Sequence, residues 1–481
     1  MFERARVARD ARFDGRFFVG VRTTGIYCRP ICPANLPRRE NVTIYPTAAA
    51  AAEAGFRPCL RCRPECAPGT PAWAGTSTTV RRGLRLIADG ALDDANVERL
   101  AERLGVTSRH LRRLFTKHLG ASPLAVAHTQ RLHFAKQLID QTDMPMQEVA
   151  VAAGFGSVRR FNDAFRSTYG RAPRELRRLG DRGRKTGAHA VQLSYRSPFD
   201  WAALLQFFAA RATPGVEAVS DGRYLRSITV DGESGILDIR DAGGHLTLAL
   251  HGIGTNSLFP VVQRVRSMLD LDAAVSDIAR VLSRDAVLRP AVRRCPGFRL
   301  PGAWDGFELA VRAVLGQQVS VKAATTMAGR IAARYGERID VAVEGIDGLP
   351  ERLFPPAAKL LRARLENLGV IGSRAQTIRD LARAVVDGDI AFDASMDPAE
   401  VRAALLAIRG IGDWTADYVA MRALKDPDAL PASDLGLLRA FDDAMGRRMK
   451  PAELVARAEA WRPWRAYAAI VIWGSDTGAG G

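Results

Sequence analysis

Apolar residues recur at helical spacing throughout residues 80–179. Between Val97 and Ser108 the apolar positions 97, 100, 101 and 104 make one helical face. Gly105 then breaks the helix, and Ser108 can cap a second one that turns Leu111, Leu114 and Phe115 inward. A related pattern follows further along: Val149, Ala150 and Ala153, then Gly154-Phe155-Gly156-Ser157, then Phe161 and Phe165. Two helix-turn-helix units are the simplest reading. Over residues 190–280 the period shortens, with alternating stretches at Leu225–Val230 and Leu246–Leu250 and Asp-Gly and Gly-Gly turn signals between them, which predicts a small antiparallel sheet with helices. From about Asp305 the helical pattern returns and runs nearly to the end, with a short frayed tail expected after Gly474. Two polar breaks separate these stretches: Ala67 to Thr79, rich in Pro, Gly, Ser and Thr, and the basic segment Gly180 to Ala188.

A length of 481 residues implies three or four domains, and 47% apolar with 25% charged residues is an ordinary globular balance that excludes a mainly disordered chain. Charge changes the picture more. The net charge is +17, and residues 1–190 carry 33 basic against 17 acidic side chains, a surplus of 16, whereas residues 191–481 carry 36 against 35. An excess of that size points to a polyanion, most often nucleic acid, attracted by the first part of the chain. The amino terminus lacks the apolar run and cleavage site of a signal peptide, and no run of 18 or more apolar residues could span a bilayer. A cytosolic chain is expected, in which clustered cysteines serve as metal ligands or nucleophiles rather than disulfides.

Four of the six cysteines form two short-loop pairs, Cys28-x3-Cys32 and Cys59-x2-Cys62, separated by 26 residues. That spacing suits a tetrahedral structural zinc site, and spacing alone favours a plain zinc ribbon over a reactive centre. The segments from Phe17 to Pro30, Arg39 to Val42 and Ala54 to Cys62 resemble the amino-terminal domain of Ada-type DNA repair methyltransferases. The resemblance implies that Cys28 accepts a methyl group from a DNA methylphosphotriester, with Cys32, Cys59 and Cys62 completing a zinc site. Four thiolates and Zn²⁺ carry a formal charge of −2, so such a centre repels ordinary phosphates but tolerates a neutral triester. Methylation of Cys28 would ease approach to the backbone and act as an electrostatic switch on DNA affinity. The Pro-rich stretch between Cys32 and Arg38 carries no basic residue to contact phosphate.

The second helix of each helix-turn-helix unit presents Arg109, Arg112 and Arg113, and Arg159, Arg160, Asn162 and Arg166. Arg and Asn suit the major groove because they bond bidentately to guanine and adenine edges, although the same residues could form the solvated face of a helical bundle. Residues Gly154 to Arg178 resemble the signature of AraC-type regulators.

In Ile408-Arg409-Gly410-Ile411-Gly412, two glycines between helices allow a tight turn and can offer backbone N–H groups to an anion. With Leu430 to Asp434, the stretch Val311 to Ser320, and Trp461 to Tyr467 leading to Trp473, this hairpin resembles the helix-hairpin-helix glycosylases of the AlkA type over about residues 190–476. The resemblance implies that Asp434 is the catalytic carboxylate and that Trp414, Tyr418 and Trp473 line a flipped-base pocket. An alkylated purine is a cationic leaving group, so a carboxylate and aromatic faces are what its excision needs. Asp434 could instead cap the helix that carries Leu437 and Leu438, and the aromatic residues could be core. Relatives that also cut the strand carry a lysine two residues after the last hairpin glycine; here that residue is Trp414, which implies base release alone. No cysteine follows Cys295, which excludes an iron–sulfur cluster. Gln318 stands where the family carries its wedge into the duplex, and no Pro-Cys-His-Arg nucleophile for alkylguanine occurs; Cys66 and Cys295 are expected to be incidental.

The expected architecture is multidomain α+β: a zinc module over 1–66, an all-α double helix-turn-helix over 80–179, a sheet-bearing domain over 190–300 and an all-α helix-hairpin-helix domain over 301–476. The expected ligands are one zinc ion and a monovalent or divalent cation at the hairpin. The expected partners are double-stranded DNA, both alkylated and promoter, and RNA polymerase, with no membrane and a place in the cytoplasm beside the nucleoid. A regulator whose carboxy-terminal half binds DNA without catalysis is the competing expectation.

Overall fold

A computed structural model describes residues 1–68, 78–92, 96–179, 190–343, 345–442 and 446–476. Most of the first polar break and all of the second fall outside these residues, but Thr78 and Thr79 do not belong to a linker: they open the helix Thr78–Ala88. The last helix, Arg465–Asp476, likewise runs two residues beyond the expected start of the tail. The chain divides into two compact units, Met1–Arg196 with Ala242–Arg264, and Ser197–Asp241 with Val265–Gly481. No helix among the described residues is long and apolar enough to cross a membrane.

The first unit opens with a four-stranded sheet of order β3-β1-β2-β4, where β1 is Phe18–Val21, β2 Ile26–Cys28, β3 Val42–Tyr45 and β4 Arg57–Pro58. Both faces of β1 are buried: Val19 and Val21 pack with Phe17 and Ala5, while Phe18 packs with Tyr27 and Ala51. Gly20 lets the Tyr45 and Phe56 rings close over the strand, since a Cβ there would lie 2.8 Å from Tyr45.

The helix-turn-helix units form as the periodicity requires, in Val97–Arg103 with Ser108–Leu119 and in Met146–Ala152 with Val158–Tyr169. Leu100, Leu111, Phe115, Val149, Phe161 and Phe165 are buried. Gly105 and Gly154 supply the left-handed residue of each turn, at φ 69° and 73°. The capping hydroxyl of the second helix belongs to Thr107, not Ser108: Thr107 is extended and accepts from His110 N at 3.3 Å, whereas Ser108 is already helical. Its counterpart Ser157 caps the later helix, accepting from Arg160 N at 3.2 Å.

Between the two helix-turn-helix pairs runs the helix Pro123–Gln141, and one stripe of it is clamped to the cysteine module. Tyr27 Oη and His133 Nε2 are 2.8 Å apart. Lys136 bonds Asp140 at 2.5 Å and pairs with Glu65 at 3.5 Å, and Arg63 reaches Asp140 at 2.7 Å. Lys136, Glu65 and Asp140 all have side chains under 10% exposed, so these pairs work at low dielectric.

In the second unit, Glu217–Ser220, Arg223–Val230 and Glu233–Asp241 form an antiparallel meander. Its two-residue turns are Asp221-Gly222 and Asp231-Gly232, all four at positive φ, as the Asp-Gly signals predict. Arg226 and Arg312 share Glu217 and Glu308 in a buried network that locks this sheet to the helix Gly306–Leu315. Burial alone would raise the Glu217 carboxyl, but Arg312 and Arg226 outweigh it and hold its pKa down to about 2.

Burial and Lys136 push the His133 pKa down to about 4, so this residue folds as a neutral imidazole. The unfolded chain takes up a proton near pH 6.5 and the folded one does not until about pH 4. Stability therefore falls as pH drops through that window, by up to about 3 kcal/mol from this residue. The difference in unfolding free energy between wild type and His133→Gln, followed from pH 7 to 4, isolates the effect; a pH-independent difference would show that His133 charges within the fold.

Candidate functional site

The metal centre follows from strand pairing. Cys28 ends β2 and Cys59 follows β4; these strands pair in parallel, and Cys59 N donates to Tyr27 O at 3.0 Å. Short turns then return Cys32 and Cys62, with Cys32 N bonding Arg29 O at 3.2 Å and Arg63 N bonding Cys59 O at 3.1 Å. All four sulfurs lie within 4.8 Å of one another. Tetrahedral zinc at about 2.3 Å from each sulfur needs sulfurs about 3.8 Å apart, so the donor set fits that ion. The first pair, Cys28 and Cys32, is half-exposed, while Cys59 and Cys62 are buried. Arg29 N donates to Cys62 Sγ at 3.3 Å, and the Arg29 guanidinium is clamped to Asp14. The Pro-rich loop after Cys32 is held from outside: Arg9 donates to Ala34 O at 2.9 Å and Arg6 to Pro37 O at 3.2 Å. Neither arginine was visible as part of this site in the sequence. Burial pushes the Cys66 thiol up to about 11, in keeping with an unreactive residue.

On the helix-turn-helix faces, Arg109, Arg112, Arg113, Arg159, Arg160 and Arg166 are exposed. Arg112 touches Glu98 at 3.3 Å and Arg159 reaches Asp163 at 4.0 Å, contacts weak enough at an exposed surface to be exchanged for phosphate or base. Asn162 is half-buried and donates to Val158 O at 2.9 Å within its own helix, so only part of its amide remains for a base edge.

The hairpin joins Pro398–Ala407 to Asp413–Arg422. Gly410 sits at φ 95°, where a Cβ would lie 2.2 Å from Thr377 Oγ1. Gly412 has nothing within 4 Å of its missing Cβ and leaves the turn open to a ligand backbone. The turn is braced by side chains to which the sequence reading gave no such role. Gln317 Nε2 donates to Gly410 O at 2.8 Å and Thr415 Oγ1 at 3.0 Å, Thr377 Oγ1 donates to Arg409 O at 2.9 Å, and Arg374 holds Gln317 O. The next residue, Gln318, is exposed at φ 55°.

Trp414 and Tyr418, one helical turn apart, stack at 5.2 Å and 11°, and Trp473 lies 6.2 Å from Tyr418. Asp434 faces this aromatic group and also caps Leu435–Arg439. It accepts from Leu437 N at 3.0 Å, Trp473 Nε1 at 3.0 Å and Trp414 Nε1 at 2.8 Å. Asp434 is therefore the helix cap that one reading of the sequence gives, and it is set against the aromatic residues. Below the stack, Arg422 donates to Tyr418 Oη at 2.6 Å, and Phe207 lies 3.9 Å from the Arg211 guanidinium and 4.8 Å from that of Arg422. Burial pushes the Tyr418 phenol up, but Arg422, Arg211 and Arg312 more than offset it and leave it below the ordinary phenol range.

Family models match in the order that this geometry suggests: the metal binding domain of Ada over residues 2–65, a helix-turn-helix domain over 100–179, the AlkA N-terminal domain over 190–305, and the HhH-GPD superfamily of base excision DNA repair proteins over 311–466. A Mycobacterium tuberculosis protein named as a probable bifunctional transcriptional activator/DNA repair enzyme AlkA is 42% identical over 475 residues, covering 98% of this chain and 95% of that one. The chain belongs to this Ada/AlkA family. The DNA-3-methyladenine glycosylase 2 of Escherichia coli is 35% identical and matches 58% of the chain over 95% of its own length. The bifunctional transcriptional activator/DNA repair enzyme Ada of E. coli is 33% identical, over 36% of the chain and 48% of its own length. A 3-methyladenine DNA-glycosylase from Archaeoglobus fulgidus shares the fold, with TM-score 0.51 and 22% identity over 60% of this chain and 98% of that one. Members of the Ada/AlkA family combine transcriptional activation with DNA repair, and this chain carries the zinc-binding, DNA-binding and glycosylase domains for both.

Stripping the metal with a chelator should release one zinc ion per chain and unfold the cysteine module, because four thiols packed this closely have no core large enough to hold them together. Elemental analysis with hydrogen exchange checks this: protection should vanish over residues 17–62 and persist over 306–422. Unchanged protection after complete metal loss would contradict the dependence.

Proposed function

We propose that the chain repairs alkylated DNA twice over and reports the damage as a transcriptional activator. In the first half, Cys28 Sγ attacks the methyl carbon of a methylphosphotriester. The S–C bond forms as the O–C bond breaks, and its electrons return to the phosphate oxygen, restoring the diester anion. The transfer is stoichiometric, since a thioether does not return the methyl group. Bound zinc keeps the cysteines ionised at neutral pH. Burial speaks against Cys59 and Cys62, and of the half-exposed pair Cys28 and Cys32 the Ada resemblance gives the acceptor role to Cys28. Loss of one negative charge at the cluster then strengthens binding of the basic helices to promoter DNA, with Arg109, Arg112, Arg113, Arg159, Arg160, Asn162 and Arg166 as the contacts. As an activator bound at a promoter, the protein meets RNA polymerase and stays with the nucleoid.

In the second half, an alkylated base turns out of the duplex into the pocket of Trp414, Tyr418 and Trp473, Gln318 enters the vacated stack, and the hairpin of Gly410 and Gly412 receives the backbone. Asp434 stabilises the oxocarbenium-like sugar as the N-glycosyl bond breaks and water adds. The carbonyls of Arg409 and Gly410 already accept from Thr377 and Gln317, so a cation at the turn would share their remaining lone pairs. With Trp414 where a lysine would form a Schiff base, the product is an intact abasic strand. The observation that carries this half is the carboxylate of Asp434 set against the aromatic stack beside the hairpin.

Release of 3-methyladenine from methylated duplex should occur with wild type, fall by at least about 100-fold in Asp434→Asn, and leave no strand break before alkali. Equal inactivity of both proteins would favour a regulator whose second half only binds DNA. On DNA bearing methylphosphotriesters, mass spectrometry should find one added methyl at Cys28, and promoter affinity should rise with a steeper salt dependence. A Cys28→Ala protein should show neither change; equal affinity and salt slope before and after methylation would refute the switch.

A further inference from the structure

The three hydrogen bonds on Asp434 are unevenly shared between its oxygens, and that asymmetry has a chemical consequence. A carboxylate offers about four lone-pair positions, two on each oxygen. Oδ1 accepts from Leu437 N at 3.0 Å and Trp473 Nε1 at 3.0 Å, which fills both of its positions. Its surroundings are also close: a Cβ at Gly436 would lie 3.1 Å away. Oδ2 accepts from Trp414 Nε1 at 2.8 Å and, among the described residues, from nothing else. One lone-pair position, on Oδ2, is thus left without a donor among the described residues.

Resting on the functional reading above, we propose that Oδ2 is the oxygen of Asp434 that faces the anomeric carbon of the sugar, and that the indole N–H of Trp414 is its positioning residue. Trp414 suits this task because two contacts fix its ring in different directions. The stack on Tyr418 sets the plane of the indole, and the bond to Oδ2 sets its rotation within that plane. Tyr418 is anchored in turn by Arg422, which donates to its hydroxyl at 2.6 Å and to the carbonyls of Pro301 and Gly302 at 3.0 and 3.1 Å. A line of contacts therefore runs from a buried guanidinium through two stacked rings to the working oxygen. Trp473 binds the other oxygen, whose cap bond to Leu437 N would survive its loss. Trp414 is thus assigned a task beyond stacking on the base: it aims the carboxylate.

The test separates kcat from KM on a duplex carrying 3-methyladenine, using the full chain. Trp414→Phe keeps an aromatic face and removes the N–H, so kcat should fall about 10- to 100-fold, as expected for one hydrogen bond to a charged group, while KM moves less than about threefold. Trp473→Phe should lose only a few-fold in kcat. Benzothienylalanine at position 414, which has the shape of tryptophan without the N–H, should reproduce the Phe result and settles the matter where Trp414→Phe lowers thermal stability. If Asp434→Asn is inactive but both substitutions at 414 keep wild-type kcat, or Trp473→Phe costs as much as Trp414→Phe, the assignment of Oδ2 is overturned. If Asp434→Asn keeps full activity, the functional reading beneath it fails instead.

Discussion

A thiolate cluster and a carboxylate brought against a phosphate backbone repel it, and both centres proposed to react in this chain are anionic. With zinc bound, the four cysteines keep a formal charge of −2, and Asp434 contributes −1 beside a DNA-binding hairpin. Each half needs a source of positive potential that does not neutralise its own centre. In residues 1–190 that source is bulk charge, a surplus of 16 carried largely by exposed arginines. Such attraction is long-ranged at low salt and screened within about 10 Å at 0.1 M, so it gathers the protein onto DNA without choosing where.

The second half has 36 basic and 35 acidic residues over 191–481 and cannot work in this way. Its positive potential is directed instead. The hairpin turn leaves space at Gly412 for a ligand backbone to approach its N–H groups, and two indole N–H dipoles point at Asp434. The guanidinium groups of Arg211, Arg312 and Arg422 gather behind Tyr418, where they lower the phenol. The buried network of Arg226, Arg312, Glu217 and Glu308 shows the same economy: the cations that brace the sheet are matched by carboxylates and add little field outside.

What was legible in the sequence follows from this division. Cysteine pairs, a glycine hairpin and arginines on a helical face are short-range patterns, because the chemistry demands those residue types at fixed spacing; the structure brings together all four cysteines and groups Asp434 with Trp414, Tyr418 and Trp473. The braces were not legible. Gln317 holds a turn 93 residues away, Tyr27 meets His133 across 106, and Lys136 meets Glu65 across 71. Gln317 and Tyr27 lie in stretches that carry the resemblances, but nothing local in any of these stretches tells which distant residue a polar side chain meets. The cap at Thr107 rather than Ser108 is a smaller case of the same limit. Two adjacent hydroxyls both satisfy the local rule, and packing of the following helix decides between them.

On the proposed reading, Asp434 would hold a structural and a chemical role at once. Capping a helix and serving a reaction looked like competing uses of one aspartate, since an N-cap oxygen is occupied. The cap occupies only one of the two oxygens, and together with the indole N–H groups of Trp473 and Trp414 it restrains the carboxylate. Without it, a short side chain at the mouth of a pocket would sample several rotamers, each with a different oxygen toward the substrate. With it, the indole of Trp414 needs to restrain a single atom. The cap is therefore part of how a lone carboxylate becomes a directed group, and a helix of only five residues, Leu435–Arg439, is enough to supply it.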